Sequence, residues 1–154
     1  MFNYLIKIEY EGTNYVGWQS QKNGKSIQDN IEKALKKVLR AKIKIIGAGR
    51  TDKGVHAYGQ SANFFFAKEI KEKHKFLSSV NFFLRRNLIS IINLTSKKLN
   101  FHARHNVKKK IYKYIIFNRF TSSPLHQNRS WVIKKKLNFN NMKKGIKYFV
   151  GLHD

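Results

Sequence analysis

The sequence contains no cysteine, a single proline and only 8 acidic residues against 32 Lys and Arg, in a chain of 154 residues. The absence of cysteine excludes disulfides, thiolate metal ligands and redox catalysis through sulfur, and it is compatible with a reducing compartment. No window approaches the roughly 20 apolar residues that a membrane-spanning helix requires. The start, MFNYLIKIEYEG, is not typical of a signal peptide, because Lys7 and Glu9 interrupt its apolar run. We therefore expect a soluble, cytoplasmic protein.

The excess of basic residues gives a formal net charge of +24 at pH 7. Such a charge repels itself in the folded chain and favours a polyanionic partner, with nucleic acid as the first candidate and an anionic membrane surface as the second. Because the chain is also rich in Lys, Asn, Ile and Phe, part of this charge reflects general composition. Hydrophobic residues make up 42% of the chain, which indicates a folded domain with a core.

The apolar periodicity predicts an α+β fold. Residues 2–10 alternate like a half-buried strand, and Ser26 begins a helix whose apolar stripe is Ile27, Ile31, Leu35, Val38 and Leu39. Further strands are predicted at Lys42–Ile46, Tyr58–Phe66, Leu88–Leu94 and Lys110–Phe117, and further helices at Glu69–Leu84 and Asn140–Val150. The order β-α-β-β-α-β-β-α favours a mostly antiparallel sheet with helices on one face. We find no repeat and no domain boundary, so residues 1–154 are predicted to form one domain.

The stretch GAGRTDKGVHAYGQ, residues 47–60, connects two predicted strands and is called the Asp52 loop below. Arg50 and Lys53 flank Asp52 and favour its ionised form, while glycines on both sides allow close backbone approach. An ionised carboxylate in such a loop can act as a nucleophile, a base or a metal ligand. Alternatively, Asp52 caps an ordinary tight turn and pairs with Arg50.

The pattern G-R-T-D-x-G-V-H-A-x-G-Q at residues 49–60 closely resembles the catalytic loop of the TruA family of tRNA pseudouridine synthases. The resemblance continues in family order through EYEG at 9–12, Tyr15 with GWQ at 17–19, SIQ at 26–28, EKAL at 32–35, FHAR at 101–104 and YKYII at 112–116. It implies a ferredoxin-like or RRM-like half of a pseudouridine synthase, with the catalytic loop at 47–60. It also implies isomerisation of uridine to pseudouridine at positions 38, 39 and 40 of the tRNA anticodon stem-loop, without a cofactor or a metal.

The same resemblance implies roles for three residues. Asp52 would be the essential carboxylate, which either adds to the uracil ring or assists cleavage of the glycosidic bond. The target base must leave the stack to react, and Arg50 matches the arginine that accompanies base flipping and pairs with Asp52. Tyr112 matches the tyrosine that stacks on the target base. The family is also a homodimer with a basic cleft, in which Lys and Arg would contact phosphates and supply affinity rather than sequence choice.

Other side chains have structural as well as functional interpretations. Tyr112 and Tyr114 share a face of a predicted strand, so core packing is an alternative for each, and we favour it for Tyr114. His56 and His102 are predicted to hydrogen-bond to the backbone, and no metal site is expected. Trp18 is predicted to be a buried anchor of its loop.

Two runs of three lysines, at residues 108–110 and 134–136, are either phosphate contacts or solvated faces.

The chain also departs from the family pattern, since NFFLRRN at 81–87 replaces a turn that contains Leu-Pro and Asp. Residues 151–154 resemble the start of a motif that continues into a second half-domain, which we predict to be absent here. The chain would then be a fragment, a reduced protein or a remnant that binds RNA, with an open sheet edge. A non-catalytic basic RNA-binding domain and a metal-dependent RNA hydrolase remain as alternative functions.

Overall fold

The computed structural model describes residues 1–153, which form two compact units, Met1–Lys110 and the residues from Ile111 onward. The first unit contains β1 (Phe2–Tyr10), α1 (Ile27–Leu39), β2 (Ile45–Gly47), β3 (Ala57–Phe66), α2 (Lys73–Leu84) and β4 (Ile89–Lys97). Its strands form an antiparallel sheet in the order β2-β3-β1-β4. This arrangement confirms the predicted α+β fold, and β2 and β4 are its edge strands.

One face of the sheet is packed against α1 and α2. The alternation of β1 places Tyr4, Ile6 and Ile8 on this face, where all three are fully buried. The register sets Phe64 of β3 opposite Tyr4 and Leu94 of β4 opposite Ile6, so that the apolar residues of three strands form one layer. The core of the first unit is this layer together with the apolar sides of the two helices.

Helix α1 begins where its sequence predicts. The Ser26 Oγ accepts a hydrogen bond from the Asp29 backbone N–H at 3.0 Å, which satisfies one of the free donors of the first turn. Ile27, Ile31 and Leu35 are fully buried against the sheet, and the lysines of the opposite side are exposed. Local capping and apolar spacing therefore account for this helix.

The bounds of other elements differ from the predicted ones. β2 is only three residues long, because residues 42–44 have no paired strand beside them. α2 begins at Lys73 rather than Glu69, since the backbone N–H of Ile70 donates to the Tyr4 hydroxyl at 2.7 Å and ties the chain to the sheet. β4 continues to Lys97 because its last residues pair with the start of β1.

The other face of the sheet carries the segment that follows β4, which two asparagines hold in place. The Asn63 Nδ2 donates to the Asn3 Oδ1 at 2.9 Å, and the Ala103 N–H donates to the Asn63 Oδ1 at 2.9 Å. The Asn3 Nδ2 also donates to the carbonyls of Lys98 and Phe101, at 3.0 and 2.8 Å. Asn3, which its strand position predicts to face water, is instead 1% exposed because this segment covers it.

The second unit contains β5 (Ile116–Asn118), β6 (Trp131–Ile133) and α3 (Phe139–Ile146), which is followed by a single 3-10 turn at Lys147–Phe149. β5 and β6 pair in parallel. The predicted strand at Lys110–Phe117 is wrong for residues 110–115, which have no regular structure, because the short β6 supplies a partner for only three residues. Nothing in the sequence analysis predicted β6. Within residues 1–153, none of the helices combines the length and hydropathy that a membrane-spanning segment needs.

Candidate active site

Asp52 lies in a tight turn within the connection between β2 and β3. Its carbonyl accepts a hydrogen bond from the Val55 N–H at 3.2 Å, which closes a four-residue turn. Gly54, the third residue of this turn, has a φ of +80°, a conformation that type II turns require there and that glycine adopts without strain. The Asp52 side chain is exposed. The turn therefore presents the carboxylate to solvent.

The backbone on both sides of Asp52 is fixed by neighbouring elements. The Thr51 hydroxyl shares a hydrogen bond of 2.8 Å with the Tyr10 hydroxyl, and the Thr51 carbonyl accepts from the Trp18 N–H at 3.0 Å. Further along the loop, the Gln60 Nε2 donates to the Gly49 carbonyl at 2.6 Å. A carboxylate on a backbone held this way keeps a defined position, which a catalytic group requires.

Trp18 connects the Asp52 loop to the core. Its side chain is 3% exposed, and its ring lies 6.2 Å from the Tyr10 ring, between centroids. Its carbonyl accepts a hydrogen bond from the Gln28 N–H at 3.0 Å, in the first turn of α1. Burial raises the pKa of Tyr10, and the hydrogen bond with Thr51 acts in the opposite direction. The prediction that Trp18 is a buried anchor is confirmed.

Gly12 lets the segment after β1 touch the far side of the Asp52 loop. A Cβ at this position would lie 2.0 Å from the Val55 carbonyl oxygen, so that no other residue fits without a backbone shift. The Gly12 N–H donates to the His56 Nδ1 at 3.0 Å, which confirms the predicted bond between His56 and the backbone. The Glu11 Oε1 lies 3.4 Å from the same Nδ1.

Tyr15 spans from the Asp52 turn to the end of α2. Its carbonyl accepts from the Gly54 N–H at 3.4 Å, and its hydroxyl donates to the Asn87 carbonyl at 2.6 Å. Burial raises the pKa of the Tyr15 phenol, and the charge of Glu11 adds to this effect. Sequence reasoning used Tyr15 only as part of a motif and gave no role to Asn87. Neither position carries a periodicity or composition signal that would reveal this link.

Arg50, like Asp52, is exposed. In residues 1–153, no ion pair within 4.0 Å joins the two, in contrast to the predicted charge pair. Two exposed side chains gain little from pairing in water, which explains the difference. A further cation lies beside the Asp52 loop. The Lys110 Nζ is 3.3 Å from the point that a Cβ of Gly49 would occupy. The sequence analysis placed Lys110 in a lysine run and at the start of a predicted strand, and did not predict that it would lie beside this loop.

Tyr112 and Tyr114 belong to the second unit and lie in the segment without regular structure. Their side chains are 76% and 90% exposed. Core packing, the role favoured for Tyr114, is therefore wrong, because no strand forms here to turn one side of the segment toward a core. The ring of Tyr112 is accessible to a partner, as a residue that stacks on a base must be.

His102 differs from its prediction. Its Nδ1 is buried and has no hydrogen-bond partner within residues 1–153, while its backbone N–H donates to the Asn106 Oδ1 at 2.8 Å. The ring lies 4.3 Å from that of His105, between centroids. Among the same residues, no group of three His, Cys, Asp or Glu side chains could hold a metal ion.

Comparison with known proteins adds a family likeness to this geometry. The profile of the family described as tRNA pseudouridine synthase matches residues 6–106, which include the Asp52 loop and every segment that holds it. The chain is 51% identical over its full 154 residues to tRNA pseudouridine synthase A of Pelagibacter ubique, of which it covers 63%. It is 42% identical over 154 residues to the protein of the same name from Acetivibrio thermocellus, and covers 62% of it. It is 38% identical over 152 residues to that from Ehrlichia ruminantium, and covers 61%. The chain thus spans somewhat less than two thirds of the length of these curated relatives.

Proposed function

Since the chain belongs to the tRNA pseudouridine synthase family, we propose that it takes part in the isomerisation of uridine to pseudouridine at positions 38, 39 and 40 of the tRNA anticodon stem-loop. Asp52 is the essential carboxylate in this proposal, and Arg50 and Tyr112 contact the substrate. The sequence resemblance supplies the positions in tRNA and the three roles. As in the family, we expect the protein to act in the cytoplasm as a homodimer.

The position of Asp52 is the observation that carries the proposal. Its side chain is exposed, while its loop is held by Tyr10 through the Thr51 hydroxyl and by Trp18 and Gln60 through backbone carbonyls. A turn that served only to connect two strands would not require this support on both sides. Exposure with a fixed backbone is what a carboxylate needs in order to meet a base that has left its stack.

The reaction breaks the bond between C1′ of the ribose and N1 of uracil and forms a bond from C1′ to C5. The hydrogen at C5 is lost as a proton, and N1 gains one, so no oxidant or reductant takes part. An ionised Asp52 can add to the ring or assist departure of the base from the sugar, and both routes use the same carboxylate. The detached base must be held while it rotates, which suits an exposed aromatic ring such as that of Tyr112.

The cations of the loop support an anionic substrate. Arg50 and Lys53 are exposed in the Asp52 loop, and Lys110 lies against Gly49. Because Arg50 has no carboxylate partner within residues 1–153, its guanidinium is available to a phosphate or to the space that a flipped base leaves. Together with the formal charge of +24, these groups favour RNA as the substrate.

The direct test measures tritium release from tRNA that is labelled at C5 of uridine, because each conversion frees that hydrogen. We expect release with this chain and none with Asp52→Asn, which keeps the shape of the side chain but removes its charge. Glu72→Gln is the matched control, since it removes an exposed carboxylate whose ion-pair partner within residues 1–153 is Lys75. Tyr112→Ala should reduce release without changing the free energy of unfolding, because its side chain is largely exposed.

Equal release by wild type and Asp52→Asn would contradict the role of Asp52. A second candidate, a basic RNA-binding domain without catalysis, is favoured by the formal net charge of +24. That candidate predicts no tritium release but salt-sensitive binding of tRNA that Asp52→Asn leaves intact.

A further inference from the structure

A groove of about 460 Å³ lies on the helical layer of the first unit. Lys33, Lys36 and Lys37 of α1 line it, with Phe83 of α2 and the nearby Asn87. The three lysines are exposed. We call this surface the lysine groove.

The charged side chains that line the lysine groove are all positive. No Asp or Glu lines it. The two acidic residues of α1 are engaged elsewhere, since Glu32 binds the Lys44 Nζ at 2.8 Å and Asp29 accepts from the Ser26 hydroxyl at 2.7 Å. Three lysines with no carboxylate among the lining residues concentrate positive potential, so the complementary ligand is an anion with several charges.

The wall of the groove adds an aromatic face to this charge. The Lys37 Nζ lies 4.9 Å from the centroid of the Phe83 ring, and Phe83 packs edge-to-face on Phe82, with ring centroids 5.4 Å apart. Both rings are partly exposed. Lysines beside an accessible ring suit a nucleic acid, which offers phosphates and stacking surfaces together.

Tyr15 connects the lysine groove to the Asp52 turn. Asn87 lines the groove and accepts the hydrogen bond from the Tyr15 hydroxyl, while the carbonyl of Tyr15 accepts from the N–H of Gly54. The end of the groove therefore lies within the length of a single tyrosine of the turn that carries Asp52. An RNA of the size of tRNA that engages Asp52 can extend across this distance.

We propose that the lysine groove binds the sugar-phosphate backbone of the tRNA whose uridine Asp52 engages, as a second contact surface on the helical layer. This inference rests on the proposed function for the identity of the RNA. The lysines supply affinity and no base selectivity, because phosphates carry no sequence information.

The test compares two triple variants that remove equal charge. Lys33→Gln/Lys36→Gln/Lys37→Gln empties the groove of cations, while Lys68→Gln/Lys71→Gln/Lys73→Gln removes three exposed lysines beside Glu69 and Glu72. Glutamine suits a helix about as well as lysine, so α1 should remain folded, as circular dichroism would verify. Binding of whole tRNA is measured by fluorescence anisotropy over a range of salt concentrations.

We expect the groove variant to reduce the slope of log K against log salt by about 2 to 3, since each of the lost phosphate contacts accounts for roughly 0.7 to 0.9. The control variant should change the slope by less than half as much. Equal slopes for the two variants would overturn the inference, as would a failure of wild type to bind tRNA. A wild type that binds with the expected slopes but releases no tritium would contradict the proposed catalysis and leave the lysine groove supported.

Discussion

The two units of this chain differ most in how much of their apolar surface is buried. Every residue of the hydrophobic core cluster lies in the first unit, Met1–Lys110. Among residues 111–153 of the second unit, Ser123 alone is buried, and large side chains such as Phe120, Tyr148 and Phe149 are exposed. The likeness to curated relatives covers both units, whereas the family profile ends at residue 106. Residues 111–153 therefore resemble the relatives in sequence although, unlike the first unit, they bury almost no apolar surface.

This difference divides the proposed site into two kinds of residue. Asp52 is an exposed side chain on a backbone that the core holds, whereas Tyr112 is an exposed side chain in a segment without regular structure. Substitutions around Asp52 should change both stability and activity, and substitutions in the second unit should leave the stability of the first unit almost unchanged. Matched pairs of variants, one in each unit, test the contrast.

The two tryptophans should give the largest difference. Trp18→Ala removes a side chain that is 3% exposed and should lower the free energy of unfolding by about 3–5 kcal/mol. Trp131→Ala removes one that is 66% exposed and should cost less than about 1 kcal/mol. Urea unfolding followed by far-UV circular dichroism measures both. Similar losses would mean that the second unit has a core of its own.

Two glycines should respond with opposite sign. Gly12→Ala places a Cβ 2.0 Å from the Val55 carbonyl oxygen and should destabilise the fold by about 3 kcal/mol, because the backbone must shift. Gly145→Ala in α3 meets nothing within 4 Å and should gain up to about 1 kcal/mol from its better helix propensity. Thermal unfolding would show the two midpoints moving in opposite directions, and a neutral Gly12→Ala would contradict the close approach.

A pair of asparagines compares buried with exposed hydrogen bonds. Asn63→Ala leaves the Asn3 Oδ1 and the Ala103 N–H without partners in a buried position, and should cost about 2 kcal/mol. Asn118→Ala breaks bonds to Ile133, Lys135 and Leu137, yet should cost below about 1 kcal/mol because water replaces them at an exposed position. Hydrogen exchange at Ala103 should accelerate in the first variant only. Unchanged exchange there would contradict the role of Asn63.

The smallest effect concerns Tyr10 and depends on pH. Tyr10→Phe keeps the ring but removes the hydrogen bond to Thr51, which should cost about 1 kcal/mol at pH 8. Because burial raises the pKa of Tyr10 above its ordinary 10.0, the unfolded chain loses this proton first as the pH rises past 10. The free energy of unfolding of wild type should then fall relative to the variant. Urea titrations should show a smaller difference in free energy of unfolding between wild type and Tyr10→Phe at pH 11 than at pH 8. A larger difference at pH 11 would contradict the burial argument.

Local sequence patterns were enough to predict several elements of the first unit. β1 was predicted with its observed bounds from alternation, and α1 from the Ser26 cap and the apolar stripe that follows. The Asp52 loop was recognised from the order of its residues. These features are local, because a cap, a strand period and a glycine turn depend on neighbours in the chain, and the sequence by itself determined them.

The tertiary structure decided what depends on partners that are distant in the chain. Asn3 is buried because a distant segment covers it, and one of its hydrogen-bond partners, Lys98, lies 95 residues later in the chain. Residues 110–115 were predicted to belong to a strand, but they find no strand to pair with, so the local sequence did not decide their structure. The hydrogen bonds that join Tyr15 to Asn87 and to the Asp52 turn likewise have no sequence signature. Hydrogen bonding and burial need a second surface, and only the folded chain shows which surface that is.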